Sequence, residues 1–198
     1  MQYINVTIEL LKTYSSSKSM KELLAVAIWF KMQHSNSVIW NVTEYKLRKG
    51  LRIGRPKAQR LIRDMKESSL FSVEGNKVVV SSFRDHTTKW TRKGKEYRGG
   101  MVCKFEVKEY TMKELYNLIN EKLFVYPICA AEHKDCCMKA SDDGKVGAKG
   151  KAITIGQFKK AINMSNGSVS NVKKRLIREG KISSTLAEKH SFDVRNEE

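Results

Sequence analysis

The sequence predicts an α+β fold that is mainly helical and contains two similar units in tandem. Two basic, amphipathic stretches, 43–71 and 154–182, repeat one another at a constant offset of 111 residues. Each stretch is followed by short runs of residues that favour β-strands. The 198 residues, of which 40% are hydrophobic, are also enough for one large packed domain or for two small ones.

Each repeated stretch has the pattern of two short helices joined by a tight turn. Thr43 and Thr154 are suitable N-caps for the first helix, and apolar residues follow four apart on one face. A small polar turn comes next, at 53–54 in the first copy and at 164–167 in the second. The second helix has an apolar stripe at helical spacing, and Pro56 fits its first turn. This order predicts a helix-turn-helix motif in each copy.

Apolar residues coincide at matched positions of the two copies. The matched pairs are Leu47 and Phe158, Leu51 and Ile162, Ile53 and Met164, Ala58 and Val169, Leu61 and Val172, Met65 and Leu176, and Phe71 and Ile182. A weaker repeat lies upstream, where MKELL at 20–24 resembles MKELY at 112–116, shifted by 92 residues. The difference between the offsets, 111 − 92, predicts about 19 additional residues in the second copy.

A hairpin pattern follows each motif. LFSVEGNKVVVSSF follows the first motif, and KISSTLAEKHSFDV follows the second. With the pattern Ser165…Val169-Ser170…Leu176…Gly180-Lys181-Ile182, this order of elements resembles the winged helix-turn-helix superfamily of prokaryotic DNA-binding proteins. The resemblance implies an α+β fold, mainly α, with two winged helix-turn-helix units in tandem. Such a tandem is also similar to the arrangement in plasmid replication initiators.

The repeats set the expected domain boundaries. Residues 1–83 are the first unit, 84–100 a basic linker or extended wing, and 101–198 the second unit with an insertion at about 128–152. The segment 84–100 carries six basic and two acidic residues, with Trp90 and Tyr97 among them. Trp29 and Trp40 lie in apolar surroundings and are expected in the core.

The distribution of charge points to a polyanionic partner. The chain has 38 Lys+Arg and 21 Asp+Glu, a formal net charge of +17. Residues 43–66 hold nine basic and two acidic side chains, residues 145–182 hold ten and one, and residues 106–143 hold five and eight. The positive charge therefore coincides with the two helix-turn-helix patterns, as expected for contact with nucleic acid.

Residues off the apolar stripe of each second helix are the candidate DNA contacts. They are Arg55, Lys57, Gln59, Arg60 and Arg63 in copy one, and Asn166, Ser168, Ser170, Asn171, Lys173 and Lys174 in copy two, with Lys77 at the predicted hairpin turn of copy one. Arg can bond guanine bidentately and Gln can bond adenine, so the first helix could read bases. Arg60 and Arg63 are expected on its outer face. Ser165 or Asn166 could instead cap the second helix.

Thiol and imidazole groups cluster in the insertion. Cys129, His133, Cys136 and Cys137 are donors that zinc accepts, but their spacing matches no established zinc pattern, and we expect no cofactor. Four cysteines do not suggest a disulfide framework and favour a reducing cytoplasm. No phosphate loop, metal-binding His pair or nucleophile elbow is found, so an enzyme is not expected.

The repeats and the charge distribution are consistent with three functions. The leading hypothesis is a transcriptional regulator that binds a specific double-stranded DNA sequence through two recognition helices. A replication initiator or accessory factor of a plasmid or phage is the second. A module that coats nucleic acid without sequence preference, or binds protein, is the third. The expected partner is double-stranded DNA, with a second copy of the chain as another candidate. No apolar run has the length of a membrane helix.

Overall fold

A computed structural model of the chain describes residues 2–34, 36–86, 88–92, 95–99, 102–124, 165–179, 182–184 and 192–194. The chain divides into two compact units, Met1–Ile119 and Asn120–Glu198, and each is described by itself. The division falls inside a helix. The expected Cys-containing insertion and the first helix of the second motif lie outside the described residues.

Unit 1 alternates helices with short strands. In chain order the elements are β1 (Tyr3–Thr7), α1 (Ile8–Thr13), α2 (Lys18–Gln33), β2 (Val38–Trp40), α3 (Glu44–Leu51), α4 (Arg55–Glu67), β3 (Phe71–Glu74), β4 (Lys77–Val80), a 3-10 turn (Phe83–His86), β5 (Thr88–Arg92), β6 (Lys95–Gly99), β7 (Val102–Glu106) and the first part of α5 (112–124).

The central helix of unit 1 is α2, which is apolar on every side over LLAVAIWF. Side chains from Leu24 to Ile28 have no solvent exposure, as expected of a helix that packs on several elements at once. Ser17 caps its N-terminus by accepting a hydrogen bond from the Met20 amide at 3.2 Å. The α3 and α4 helices pack their own apolar residues against this core, with Leu47 and Leu61 fully buried.

A three-stranded antiparallel sheet has the order β2-β4-β3. The β3 and β4 strands form the expected hairpin, and its turn contains Gly75 at φ +55°, a conformation that glycine adopts without steric cost. The β2 strand, which lies between α2 and α3 in the chain, adds to the other side of β4. The sheet therefore joins both ends of the α3–α4 motif.

A second sheet consists of β1 and β7, which pair antiparallel over Tyr3↔Glu106 to Thr7↔Val102. The β7 strand belongs to the region that the repeat assigned to the second unit, yet it pairs with the first strand of the chain. The segment expected as a linker or extended wing, 84–100, contains most of the 3-10 turn and the antiparallel pair β5–β6.

The second unit includes the end of α5, then α6 (Asn166–Arg178), β8 (Ile182–Ser184) and β9 (Phe192–Val194). The α6 helix buries Val169, Val172 and Leu176 on one face. The β8 and β9 strands pair antiparallel, so the vaguer hairpin pattern at the end of the chain is confirmed. The expected α+β class is confirmed as a mainly helical fold with small antiparallel sheets.

Candidate nucleic-acid interface

The turn between α3 and α4 has the geometry that the sequence predicted. Thr43 caps α3 by accepting a hydrogen bond from the Lys46 amide at 3.2 Å. The helix ends where Arg52 adopts a left-handed conformation, φ 51° and ψ 55°. Gly54 is the N-cap of α4, and Pro56 lies in its first turn, where a missing amide hydrogen leaves no bond unmade. The motif is thus set by local chemistry at four positions.

Close packing of α3 on α2 depends on Gly50. A Cβ atom built at this position would overlap the indole ring of Trp29, with Cη2 only 2.7 Å away. Trp29 is 5% exposed, as expected for a core residue. The absence of a side chain at Gly50 therefore lets the large ring fill the space between the two helices, which fixes where α3 and the following turn lie.

The α4 helix presents a polar stripe opposite its buried one. Ala58, Leu61 and Met65 are at most 1% exposed and pack inward. Gln59 and Arg63 are exposed four residues apart, with an Arg63 side chain that is 73% exposed. Lys66, which sequence reasoning did not select, is also exposed and lies three residues after Arg63 on the same stripe. Lys66 follows Gln59 by seven residues, and this spacing in the sequence places both on the same face of the helix.

Two other predicted contact residues point to the side of α4 that faces α2. Lys57 Nζ lies 2.7 Å from Glu22 Oε1, and Arg60 Nη2 bonds Glu22 Oε2. Glu22 is 2% exposed. Arg60 Nε also lies 3.7 Å from Asp64 Oδ2. Arg60 is therefore not on the outer face that the helical spacing suggested, because a buried carboxylate on α2 holds its guanidinium at the edge of that face.

On the opposite edge of α4, Glu44 gathers three donors. Its carboxylate accepts from Arg55 Nε at 3.2 Å, from Gln59 Nε2 at 3.0 Å and from Arg48 Nη1 at 3.4 Å. Glu44 is the first residue of α3, where a negative charge also suits the helix dipole. This carboxylate connects α3 with the first two turns of α4 and orients two of the predicted base-contacting side chains.

The β3–β4 hairpin carries Lys77, whose Nζ lies 3.7 Å from the exposed Glu74. Trp40 is its Cα partner on β2. The expectation that Trp40 is a core residue is wrong, because its side chain is 62% exposed. Ile39 points inward and is fully buried, so strand alternation turns the next residue outward. An exposed aromatic ring therefore lies beside the basic residue of the hairpin.

The N-terminus of α6 has one of the two caps that the sequence predicted. Ser165 is its N-cap and accepts from the Ser168 amide at 3.3 Å. Asn166, Asn171 and Lys174 are exposed, whereas Ser168, Ser170 and Lys173 are half-buried. Burial lowers the pKa of the Lys173 ammonium from its usual value. The exposed face is completed by Arg178, which was not predicted as a contact although it follows Lys174 by four residues.

One cation of α6, Arg175, forms ion pairs within the second unit. Arg175 lies 3.6 Å from Glu121 on α5 and 3.7 Å from Glu179, and its side chain is 16% exposed. The arrangement is the counterpart, on a smaller scale, of the carboxylate contacts around α4. It leaves Lys174 and Arg178 as the exposed charges of the helix.

The remaining predicted ligands fall where the structure gives no description. Cys129, His133, Cys136 and Cys137 lie outside the described residues. Among the residues that are described, no group of three or more His, Cys, Asp or Glu is placed to hold a metal ion. Within the same ranges, no helix combines the length and the apolarity needed to cross a membrane.

Comparison with known proteins adds no family. No family model matches the chain, and neither curated proteins nor solved structures give a match.

Proposed function

We propose that the protein binds double-stranded DNA and that α4 is its recognition helix. The proposal is supported by the order α2, β2, α3, α4, β3, β4 and the sheet order β2-β4-β3. This order is similar to that of a winged helix-turn-helix, in which the last hairpin is the wing and the second helix of the motif enters the major groove. We infer the same motif for α6 with β8 and β9, which makes the chain a tandem of two such units.

The observation that carries the proposal is the exposed stripe of α4. Gln59, Arg63 and Lys66 occupy one face of a helix whose opposite face is buried in unit 1. Amide and guanidinium groups are the side chains best suited to read adenine and guanine edges in the major groove, and a lysine suits a phosphate.

We favour sequence-specific binding by a transcriptional regulator over coating of nucleic acid by charge. Glu44 holds Arg55 and Gln59, and Glu22 holds Lys57 and Arg60. Ordered side chains lose less conformational freedom on binding, and their fixed positions distinguish one base sequence from another. A surface that coated nucleic acid by charge alone would gain nothing from carboxylates that orient its cations.

The test is binding of the full chain to a pool of random duplexes and to a duplex selected from that pool, at several salt concentrations. We expect log affinity for random DNA to fall with log salt at about −0.9 per phosphate contacted. We also expect the selected duplex to bind about a thousandfold tighter than the pool. Lys104→Ala removes one exposed charge on β7, outside α4, and should keep the preference for the selected duplex. Binding that ignores salt would overturn the proposal, and equal affinity for all duplexes would leave only charge-driven coating.

A further inference from the structure

A cavity of about 370 Å³ lies in unit 1 and is not part of the α4 stripe. The start of α2, the turn between α3 and α4, the first turn of α4 and the start of α5 all contribute to its wall. Its size is at the small end of the range for sites that take small molecules. The cavity therefore joins the helix-turn-helix motif to two helices outside the motif.

The inner surface of this cavity is largely apolar. Met112 is 3% exposed, and Ile53 and Tyr116 are half-buried. Lys21 Nζ lies 5.0 Å from the centroid of the Tyr116 ring, within reach of a cation–π contact. An aromatic or aliphatic body could lie against these three side chains.

The rim of the cavity is cationic. Lys18, Arg52 and Lys113 are exposed, and none of the three forms an ion pair within 4.0 Å with a carboxylate of the described ranges. Lys57 also lines the cavity. The acidic side chain in the wall, Glu22, is already bonded to Lys57 and Arg60. The space is thus bordered by an excess of positive charge.

We propose that this cavity binds a phosphate ester with an apolar or aromatic body. A phosphate monoester carries close to two negative charges at neutral pH and has several acceptor oxygens, which matches the exposed cations of the rim, Lys18, Arg52 and Lys113. Its organic part would cover Met112, Ile53 and Tyr116. The ester is a free small molecule, because a backbone phosphate of DNA is a diester with a single charge and brings no apolar body to the cavity.

An occupant would lie against the recognition helix of the proposed function. Lys57 lines the cavity and belongs to the first turns of α4, and Arg52 and Ile53 form the turn before it. A phosphate that attracted Lys57 away from Glu22 would alter how α4 is held. This consequence rests on the proposed DNA binding, whereas the site itself does not.

Calorimetric titration of the full chain without DNA tests the site. The probe is phenyl phosphate, compared with inorganic phosphate, which has the charge without the body. We expect phenyl phosphate to bind about tenfold tighter, because only it buries apolar surface. Lys113→Glu and Lys18→Glu should each weaken it about fivefold or more, and the equal charge change Lys104→Glu on β7 should leave it within about twofold. All three lysines are exposed, so the variants should fold, which circular dichroism verifies.

A second titration identifies the source of the phosphate. If the occupant is a free small molecule, phenyl phosphate should still bind when the protein is saturated with duplex DNA. Competitive displacement by DNA would show instead that a backbone phosphate enters the cavity, and it would overturn the requirement for an apolar body. The site is overturned if phenyl phosphate does not bind, if it binds no tighter than inorganic phosphate, or if Lys104→Glu weakens it as much as Lys113→Glu does. Because the first titration contains no DNA, these failures are distinct from failure of the proposed function.

Discussion

The two candidate recognition helices, α4 and α6, have the same pattern of buried residues but differ in how their charges are held. On α4, Glu22 and Glu44 lie on opposite edges of the helix and bond four of its polar side chains. On α6, Glu121 and Glu179 bond the single cation Arg175. The exposed polar face of α6 is formed instead by shorter side chains such as Asn171 together with Lys174.

This difference assigns different work to the two helices. Arg63 and Gln59 of α4 have side chains of suitable length and hydrogen-bonding geometry for base contacts. Arg60 is instead a positioning residue, because its guanidinium neutralises the Glu22 carboxylate. Lys174 of α6 is a point charge suited to phosphate. Substitution of Arg60 should therefore act mainly through the position of α4, and substitution of Arg63 should act through the bases that we propose it contacts.

The largest effect is expected at Glu22. Glu22→Ala removes a 2% exposed carboxylate and leaves Lys57 and Arg60 without its charge, so unfolding should become easier by about 3 kcal/mol. Chemical denaturation measures this free energy. Glu74→Ala is the control, because its pair with Lys77 is exposed and should contribute at most about 0.5 kcal/mol. Equal effects of the two variants would contradict the role of Glu22.

A second effect is expected at Gly50, in the helix that precedes α4. The 111-residue offset aligns Gly50 with Ala161, so only copy one lacks a Cβ at this position. Gly50→Ala should cost about 2 kcal/mol, because the methyl group would displace the Trp29 ring. Thermal unfolding measures the cost, and Gly167→Ala, where an added Cβ meets no atom within 4 Å, is the control. Stability unchanged by Gly50→Ala would show that the ring can move away freely.

A smaller effect is expected in the second unit. Glu121→Ala should lower the free energy of unfolding by about 1 kcal/mol, because Arg175 keeps Glu179 as a partner. Hydrogen exchange at the α6 amides reports this change for the helix concerned. If Glu121→Ala lowered the free energy of unfolding as much as Glu22→Ala, carboxylates would stabilise α4 and α6 equally, which would contradict the difference between the two helices.

The smallest effect concerns pH. Burial and the nearby Lys46 charge lower the pKa of His34 from its usual value of 6.5. The unfolded chain therefore binds this proton first, so stability should fall as the pH drops from 6.5 towards the lower pKa of the folded protein, and then level off. Denaturation at several pH values should show this slope, and His34→Gln should reduce it. An unchanged slope in the variant would assign the pH dependence to other groups.

How much of this could be predicted depends on the range of the interaction. The Thr43 cap, Pro56 in the first turn of α4 and the glycine turn of the β3–β4 hairpin are local, and sequence patterns predicted them. The bonds of Glu22 to Lys57 and Arg60 join residues more than thirty positions apart, and no pattern indicated them. Without them, spacing alone placed Arg60 on the outer face.

The weaker repeat shows a second limit. Identical letters at 20–23 and 112–115 suggested equivalent helices, but α2 begins two residues before its copy and α5 begins with it. Glu22 is consequently buried, whereas Glu114 is exposed and accepts hydrogen bonds from Thr111 at the helix start. The register of a short match within its helix, which decides what each residue contacts, cannot be read from the match.

We propose that α4 reads bases through its exposed stripe. Selection of bound duplexes from a random pool tests this proposal. The wild type should enrich one motif. Arg63→Ala should lose preference at one base pair by about 1–3 kcal/mol, whereas Lys174→Ala should weaken all duplexes about equally. The account would be contradicted if the wild type enriched no motif, or if Arg63→Ala kept the wild-type preference at every base pair and lost affinity uniformly.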